Sequence, residues 1–442
     1  MKVHASPTKE FFVDMITKDI SLEACILDLV DNSLDGARAD LRRRGGDSET
    51  ARAFEGYWVQ LTLRGDHFSV ADNCGGISIE DAVNYAFHFG RRRDADREEG
   101  GIGLYGIGMK RAVFKLGREI TVSSSTTEEG FIVPINVLKW LEDEHTWDFE
   151  LTPADPWDEA GTRIAVSDLN AGVSLDLSSA EFITNRLVPA LGRDYSFYLQ
   201  KGFTIEVNGT SVRPYIFEVR RTEGVVEPAV EEYVDDGVYV RLVAGMASLP
   251  QEDTDPNARP VADPRYFGWF VICNDRVVLA ADKSAATVWG HEGFPGWHPQ
   301  YNGFMGLCFF DASDPEKLPW TTTKRGVDAA NPVYRRAVAN MRRLTRTYTS
   351  YTDRRKDALE IVRPAETAAS AVPVGDLPMK AEMRLPPIPQ VPKIRTINIQ
   401  YKRPADEVKR VAAALGDRFM SARDVGERTY EFYLENYVED SN

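Results

Sequence analysis

Residues 21–36 read SLEACILDLVDNSLDG, and two stripes run through them. Leu22, Cys25, Ile26, Leu29 and Val30 recur at helical spacing and predict an amphipathic helix whose apolar face packs inward. Asp28, Asn32 and Asp35 stand at i, i+4 and i+7, so they stack along one line of that helix, with Asp31 at its edge. Three acids and an amide crowded in this way repel one another unless something positive sits among them. Hard oxygen ligands of this kind suit magnesium, which keeps several waters and is held by one or two protein groups plus the phosphates of a nucleotide. A solvated helix face is the plainer reading of the same spacing.

Working outward, the chain has 442 residues, enough for two or three domains and at least one sizeable core. A net charge of -15 argues against binding nucleic acid over the whole surface and leaves room for a local patch or a small module. Cys25, Cys74, Cys273 and Cys308 are far apart with no C-x-x-C pair, which speaks against a zinc site or a disulfide framework and fits a reducing cytoplasm. No apolar run approaches the roughly 20 residues of a membrane span, and MKVHASPTKEFF has no apolar signal-peptide core. The expectation is a cytoplasmic protein with no membrane partner.

Downstream of the helix, YWVQLTLRGDHFSVADN predicts a hairpin turning at Arg64-Gly65-Asp66 and ending at Asp72. DNCGGIS then sets two glycines after an acid and an amide, where backbone can approach a flat ligand closely; an ordinary turn is the alternative. Further on, a charged loop precedes Gly100, Gly101, Gly103, Gly106 and Gly108, which open a helix carrying Lys110 and Arg111. Backbone N–H groups at such a helix start form an anion site. No strand immediately precedes the glycines, so they do not match the dinucleotide fingerprint, and the P-loop spacing is absent too. GTRIAVSDL places Gly161 and Thr162 at the head of another strand.

These four elements, in this order and at these separations, resemble the nucleotide-binding domain shared by gyrase B, the heat-shock chaperone ATPases, histidine kinases and MutL (the GHKL ATPases). LDLVDNSLDGA and GLYGIGMK look most similar to the bacterial relatives of MORC ATPases. The resemblance covers roughly residues 1–177 and implies an α+β protein led by a Bergerat-type α/β sandwich, with helices on one face of a mixed sheet. It implies ATP and Mg2+ as ligands. Asn32 would hold the magnesium, and Asp35 and Lys110 would join the ATP site. Asp72 would accept from the adenine amino group, and Gly76 would leave room beside the base. Gly103, Gly106 and Gly108 would belong to a lid over the phosphates, and Thr162 would support Asp72. Two positions depart from the pattern: Asp28 stands where the family places a glutamate base, and Cys74 where it places a glycine.

A helix over SAEFITNRLVPALGRDYSFYLQ and strands FTIEVNG, VYVRLVAG, GWFVICNDRVVLA and FMGLCFF follow, then TTTKRG and the helix NPVYRRAVANMRRLTRTY. This block, residues 178–363, resembles the transducer domain of gyrase B and MutL. There a loop lysine reaches the γ-phosphate, and Lys324 is the matching position. Residues 364–393 are rich in proline and alanine and read as a semi-rigid linker. Residues 394–442 are expected to form a strand over 394–402 and two helices, with Val408, Val411, Ala412, Leu415, Val425, Thr429, Phe432, Tyr433 and Tyr437 inward. Their order resembles a ribbon-helix-helix module, which dimerises and reads DNA through a two-stranded ribbon. Thr396, Asn398, Gln400, Lys402 and Arg403 would then contact DNA; a helical hairpin docking on a partner, or back on the transducer-like domain, is the other reading.

The expectation is an ATP-hydrolysing conformational machine of MORC or MutL type, with Asp28 and Lys324 catalytic, that dimerises with nucleotide bound. DNA repair, restriction and phage defence are the settings the resemblance offers. The competing reading is a nucleotide-gated binding or scaffold protein that does not turn over. A histidine kinase fits less well, because no phosphoacceptor histidine lies on a dimerisation helix ahead of the first domain.

Overall fold

The structure is a computed structural model describing residues 7–89, 107–143, 146–250, 263–389 and 397–438. Helix α1 (Lys9–Lys18) precedes α2 (Leu22–Arg43), which starts where Ser21 accepts a hydrogen bond from Ala24 N at 3.1 Å. One apolar face was expected of α2, yet every residue from 22 to 34 except Asn32 is buried. The helix is enclosed on nearly all sides.

The first sheet contains β1 (Trp58–Leu63), β2 (His67–Asp72), β3 (Gly117–Ser125), β4 (Gly130–Asn136), β5 (Thr152–Ala154), β6 (Gly161–Leu169), β7 (Thr204–Val207) and β8 (Thr210–Ser211). Their order is β5-β4-β3-β6-β2-β1-β7-β8, antiparallel except for the parallel pair β1–β7. The predicted hairpin is present: Arg64 N donates to His67 O at 3.0 Å, and Leu61 faces Val70. Alternate residues such as Val59, Leu61, Val70, Val122 and Ile164 are buried, as a half-covered sheet requires. With α2 and the helix Gly108–Leu116 against it, this is the expected α/β sandwich over a mixed sheet.

The remaining strands are β9 (Glu218–Arg221), β10 (Ala229–Asp235), β11 (Val238–Met246), β12 (Gly268–Cys273), β13 (Arg276–Asp282), β14 (Phe304–Asp311) and β15 (Ser370–Pro373). Five of them form a sheet ordered β10-β11-β14-β12-β13, and β9 pairs with β15. Successive residues of the central strands enter different cores. Cys308 and Phe310 join the core that contains α2 and the first sheet, while Leu307 and Phe309 join a second core under Phe217 and Val374.

Two expected boundaries move. FTIEVNG supplies β7, a strand of the first sheet, so the division at residue 177/178 falls inside a continuous core. The expected linker 364–393 is largely ordered structure. A helix spans Leu359–Ala368, β15 pairs with β9, and Ala381 and Arg384 bridge to Val230 and Glu227. Val362, Ala369, Val374 and Leu377 are buried there, and Glu366 pairs with Arg355 at 2.7 Å, so the prolines interrupt a packed segment. The first compact unit runs to Ile388 and the second begins at Pro389.

The second unit carries the helices Ala405–Ala414 and Ala422–Tyr437, the latter capped by Ser421, whose Oγ accepts from Asp424 N at 3.1 Å. Its expected core is not formed. Of the residues expected inward only Ala412 and Val425 are buried, and Phe432, Tyr433 and Tyr437 are more than half exposed. One strand and two helices offer too little apolar surface to close over themselves. Residues 397–402 form no strand, because no second strand lies beside them among the described residues; Ile397, Ile399 and Tyr401 are exposed. Thr396 lies outside the described residues.

Candidate nucleotide site

A cavity of about 890 Å³ opens along α2, between the strand ends of β2 and β6 and the helix Gly108–Leu116. That is the size range of small-molecule sites. Asp28, Asn32, Asp35, Asp72, Gly76, Gly108, Lys110, Thr162 and Lys324 all line it, although they come from segments up to 296 residues apart, 324 minus 28. Gly103 and Gly106 lie outside the described residues.

At one end, Asp72 ends β2 with its carboxylate tied down. Cys74 N and Thr162 N both donate to Oδ1 at 3.1 Å, and Ser33 Oγ donates to Oδ2 at 2.7 Å. Burial pushes the Asp72 carboxyl up from its ordinary value, opposed by those three donors. Thr162 Oγ1 lies 2.9 Å from Ser124 Oγ, which accepts from Ile77 N at 2.8 Å, so one hydroxyl chain fixes the floor of this end. Thr162 supports Asp72 through its backbone N–H, with its hydroxyl turned to Ser124.

The loop after Asp72 explains the departure at Cys74. Positive φ is needed at Gly75 (92°) and Gly76 (68°), while Cys74 lies outside the left-handed region and is buried, its Sγ 3.8 Å from Trp58 O. A thiol therefore costs the turn nothing. Gly76 lines the cavity and also has a backbone role. A Cβ there would lie 2.0 Å from Ser125 O, so the missing side chain lets two backbone segments touch.

At the other end, Asn32 is the one exposed residue of its buried stretch and opens into the cavity. Three acids of the same helix have found a cation from the chain. Asp28 Oδ2 meets Arg111 Nη2 at 2.5 Å, and Glu23 meets Arg325 and Arg186, both at 2.7 Å. Asp31 meets Arg276 at 3.0 Å and Lys324 at 3.1 Å. The crowded carboxylates thus draw their positive charge from arginine and lysine, and no group of three His, Cys, Asp or Glu suited to a metal occurs among the described residues. On the wall between these pairs Asn32 offers a divalent ion a neutral oxygen. That donor set fits a magnesium that arrives with its own waters and phosphates and does not fit an all-protein metal site.

Burial pushes the Asp28 carboxyl above its ordinary value, against the nearby charges of Lys324 and Arg111, while Asp31 is likewise desolvated but held below it by Lys324 and Arg276. Neighbouring acids on one helix are driven in opposite directions. Lys110 is less available to a phosphate than expected: its ammonium is buried and donates to Ala86 O at 2.8 Å and His88 O at 2.6 Å. Burial pulls it down to about 8.

Residues 20–169 match the family model of histidine kinase-, DNA gyrase B- and HSP90-like ATPases. This part of the chain belongs to that family. No curated protein matches the chain. Proteins with this ATPase domain generally bind ATP together with Mg2+, and the cavity on α2 lies within the matched residues except for its rim, formed by α1, Asp19 and Thr322–Lys324. Sequence reasoning missed Ser33, Ser124, Arg111, Tyr195 and Arg276 as partners of site residues. Arg111 was legible as a cation one turn into the helix after the glycines, but nothing local marked Arg276.

Proposed function

We propose that the chain binds ATP in the α2 cavity and hydrolyses it, with Asp28 as the general base. The observation that carries this reading is the state of Asp28: a buried carboxylate pushed up in proton affinity, on the cavity wall one helical turn from the open amide of Asn32. A base needs a proton affinity nearer the working pH than a free aspartate has. Asp28 would take the proton of the attacking water at a carboxylate oxygen, and Arg111 would hold the carboxylate's direction. Asn32 would hold Mg2+, which supplies charge neutralisation on the phosphates. Lys324 would stabilise the charge that grows on the terminal phosphate. Asp72 would accept from the adenine amino group at Oδ2, where Ser33 leaves one acceptor site open.

The ion pair between Asp28 and Arg111 also supports a second reading, in which the nucleotide is bound and held as a switch. ATP turnover with Mg2+, measured beside ATP binding, separates them: binding without release of phosphate would leave only the switch.

We further propose that the protein works as a nucleotide-dependent dimer of MORC or MutL type on DNA, in repair or defence. The exposed aromatic residues of the second unit support an assembly in which another surface covers them, and Asn398, Gln400, Lys402 and Arg403 are exposed for contact with DNA. The check is to compare the full chain with a version ending at Ile388 in sedimentation and in binding to duplex DNA, with and without ATP. Equal behaviour of the two would remove the tail from this proposal.

A further inference from the structure

Beneath the cavity lies a buried cluster drawn from four parts of the chain. Asp31 on α2 uses Oδ1 for Arg276 Nε at 3.0 Å and the Tyr195 hydroxyl at 2.7 Å, and Oδ2 for Lys324 Nζ at 3.1 Å. Arg276 also meets Asp194 at 3.3 Å and lies over the Tyr195 ring at 4.4 Å. Two acids and two cations balance, all less than a tenth exposed. Moving one charge out of such a cluster strands its partner in low dielectric, which is costly.

Lys324 sits in this cluster and on the cavity wall at once. Its backbone is left-handed, at φ 53°, in a turn closed by Lys324 N donating to Thr321 O at 2.9 Å. The next residue, Arg325, fastens the same loop to Glu23 at 2.7 Å. Consecutive residues of one loop therefore grip α2 two turns apart. An ammonium has three N–H donors, and the bond to Asp31 takes one of them.

We propose that Asp31 is the positioning residue for Lys324, holding its ammonium on the cavity wall so that the remaining donors face the terminal phosphate while the bond to the carboxylate stays made. This rests on the reading of the cavity as an ATPase site. It differs from a lysine that swings in from solvent: the charge is in place before nucleotide arrives, and Tyr195 and Arg276 keep the carboxylate from turning away.

The test uses the full chain with Asp31→Asn, Lys324→Ala and the double variant. Asp31→Asn should lower kcat by about 10²-fold with KM changed less than about threefold. The double variant should match Lys324→Ala, since both changes remove one function. A second readout needs no turnover: acetylation of Lys324 by an amine reagent, followed by mass spectrometry, should be at least about tenfold faster in Asp31→Asn than in the parent, because an unheld lysine reaches solvent. Multiplying effects on kcat together with unchanged labelling would overturn the proposal. If the parent releases no phosphate, the hydrolysis reading falls and labelling alone decides the positioning role. If Asp31→Asn does not fold, Tyr195→Phe takes one bond from the same carboxylate and leaves its charge; faster Lys324 labelling in that variant supports the proposal and parental labelling overturns it.

Discussion

Gly76→Ala should damage nucleotide binding through backbone contact alone. Two costs add at this position. Its φ of 68° puts an alanine in the left-handed region, at about 1–2 kcal/mol. The new Cβ would also lie 2.0 Å from Ser125 O and 2.6 Å from its carbonyl carbon, so backbone must move, and overpacking of this kind costs about 1–3 kcal/mol. The adjacent bond from Ile77 N to Ser124 Oγ, 2.8 Å long, is the first to stretch, and it is worth about 1 kcal/mol net. Restoring the parental loop for the ligand would then take about 3 kcal/mol, or about 10²-fold in affinity. Calorimetry with Mg-ATP reads this directly, with far-UV circular dichroism to show that the sheets persist. Gly224→Ala is the control: its φ is 74°, but nothing lies within 4 Å of the added Cβ, so it should cost about 1 kcal/mol of stability and leave ATP affinity alone. Equal ATP affinity in Gly76→Ala and the parent would refute the argument that close approach of the two segments shapes the base end.

Asn32→Ala should abolish magnesium-dependent ATP binding with the fold intact, because it removes an exposed neutral ligand and no buried contact; calorimetry with and without Mg2+ checks it. Asp28→Asn and Lys324→Ala should each lower single-turnover hydrolysis by about 10²-fold or more, with a much smaller change in ATP affinity. Full activity in Asp28→Asn would point to another base. Lys110 gives a pH signature. Folded, it titrates near 8, while in the unfolded chain it titrates near 10.5, so between these values the unfolded state holds the extra proton and stability rises with pH. The penalty is full below pH 8 and about 3 kcal/mol at most. Urea unfolding of the parent from pH 7 to 10.5 should carry this slope and that of Lys110→Met should lack it; parallel curves would exclude the titration.

The parts legible in the sequence were those specified by local pattern. The stripe from Asp28 to Asp35, the turn at Arg64-Gly65-Asp66 and the strand end at Asp72 all stand where periodicity and turn chemistry put them. What escaped was non-local. β7 has four residues and pairs in parallel with a strand about 145 residues earlier, and nothing in TIEV distinguishes the first sheet from the second. The prolines after Arg363 point to a linker, yet Pro364 lies inside a helix whose Val362 and Glu366 are buried. The tail was expected to have a core because its apolar residues fall at helical spacing. Periodicity says which residues share a face and nothing about whether another surface covers it. At the site, residue types were legible and their charge partners were not. Three acids and an amide on one helix point to a metal, and the cations that pair with Asp28 and Asp31 come from residues 111, 276 and 324.

Those cations bear on why α2 is built as it is. A buried ion pair contributes little against apolar packing of the same volume, while removing one member costs about 3–5 kcal/mol. A helix stabilised only by packing would have no need of Glu23, Asp28 and Asp31. With them, each neighbour is tied to α2 at its own point: the Thr321–Gly326 loop through Arg325 and Lys324, β13 through Arg276, and the helix after the glycines through Arg111. Small shear between packed apolar surfaces is cheap. Shear across a 2.5–3.1 Å ion pair is not, because the carboxylate is left behind without water. The glycine-led helix and the Lys324 loop must therefore move with α2 or break a pair. Asn32 lies between Asp31 and Ser33 on that same helix, so a ligand that shifts Asn32 pulls on Lys324 through Asp31 and on Asp72 through Ser33. The two ends of the cavity are joined by three consecutive residues of α2.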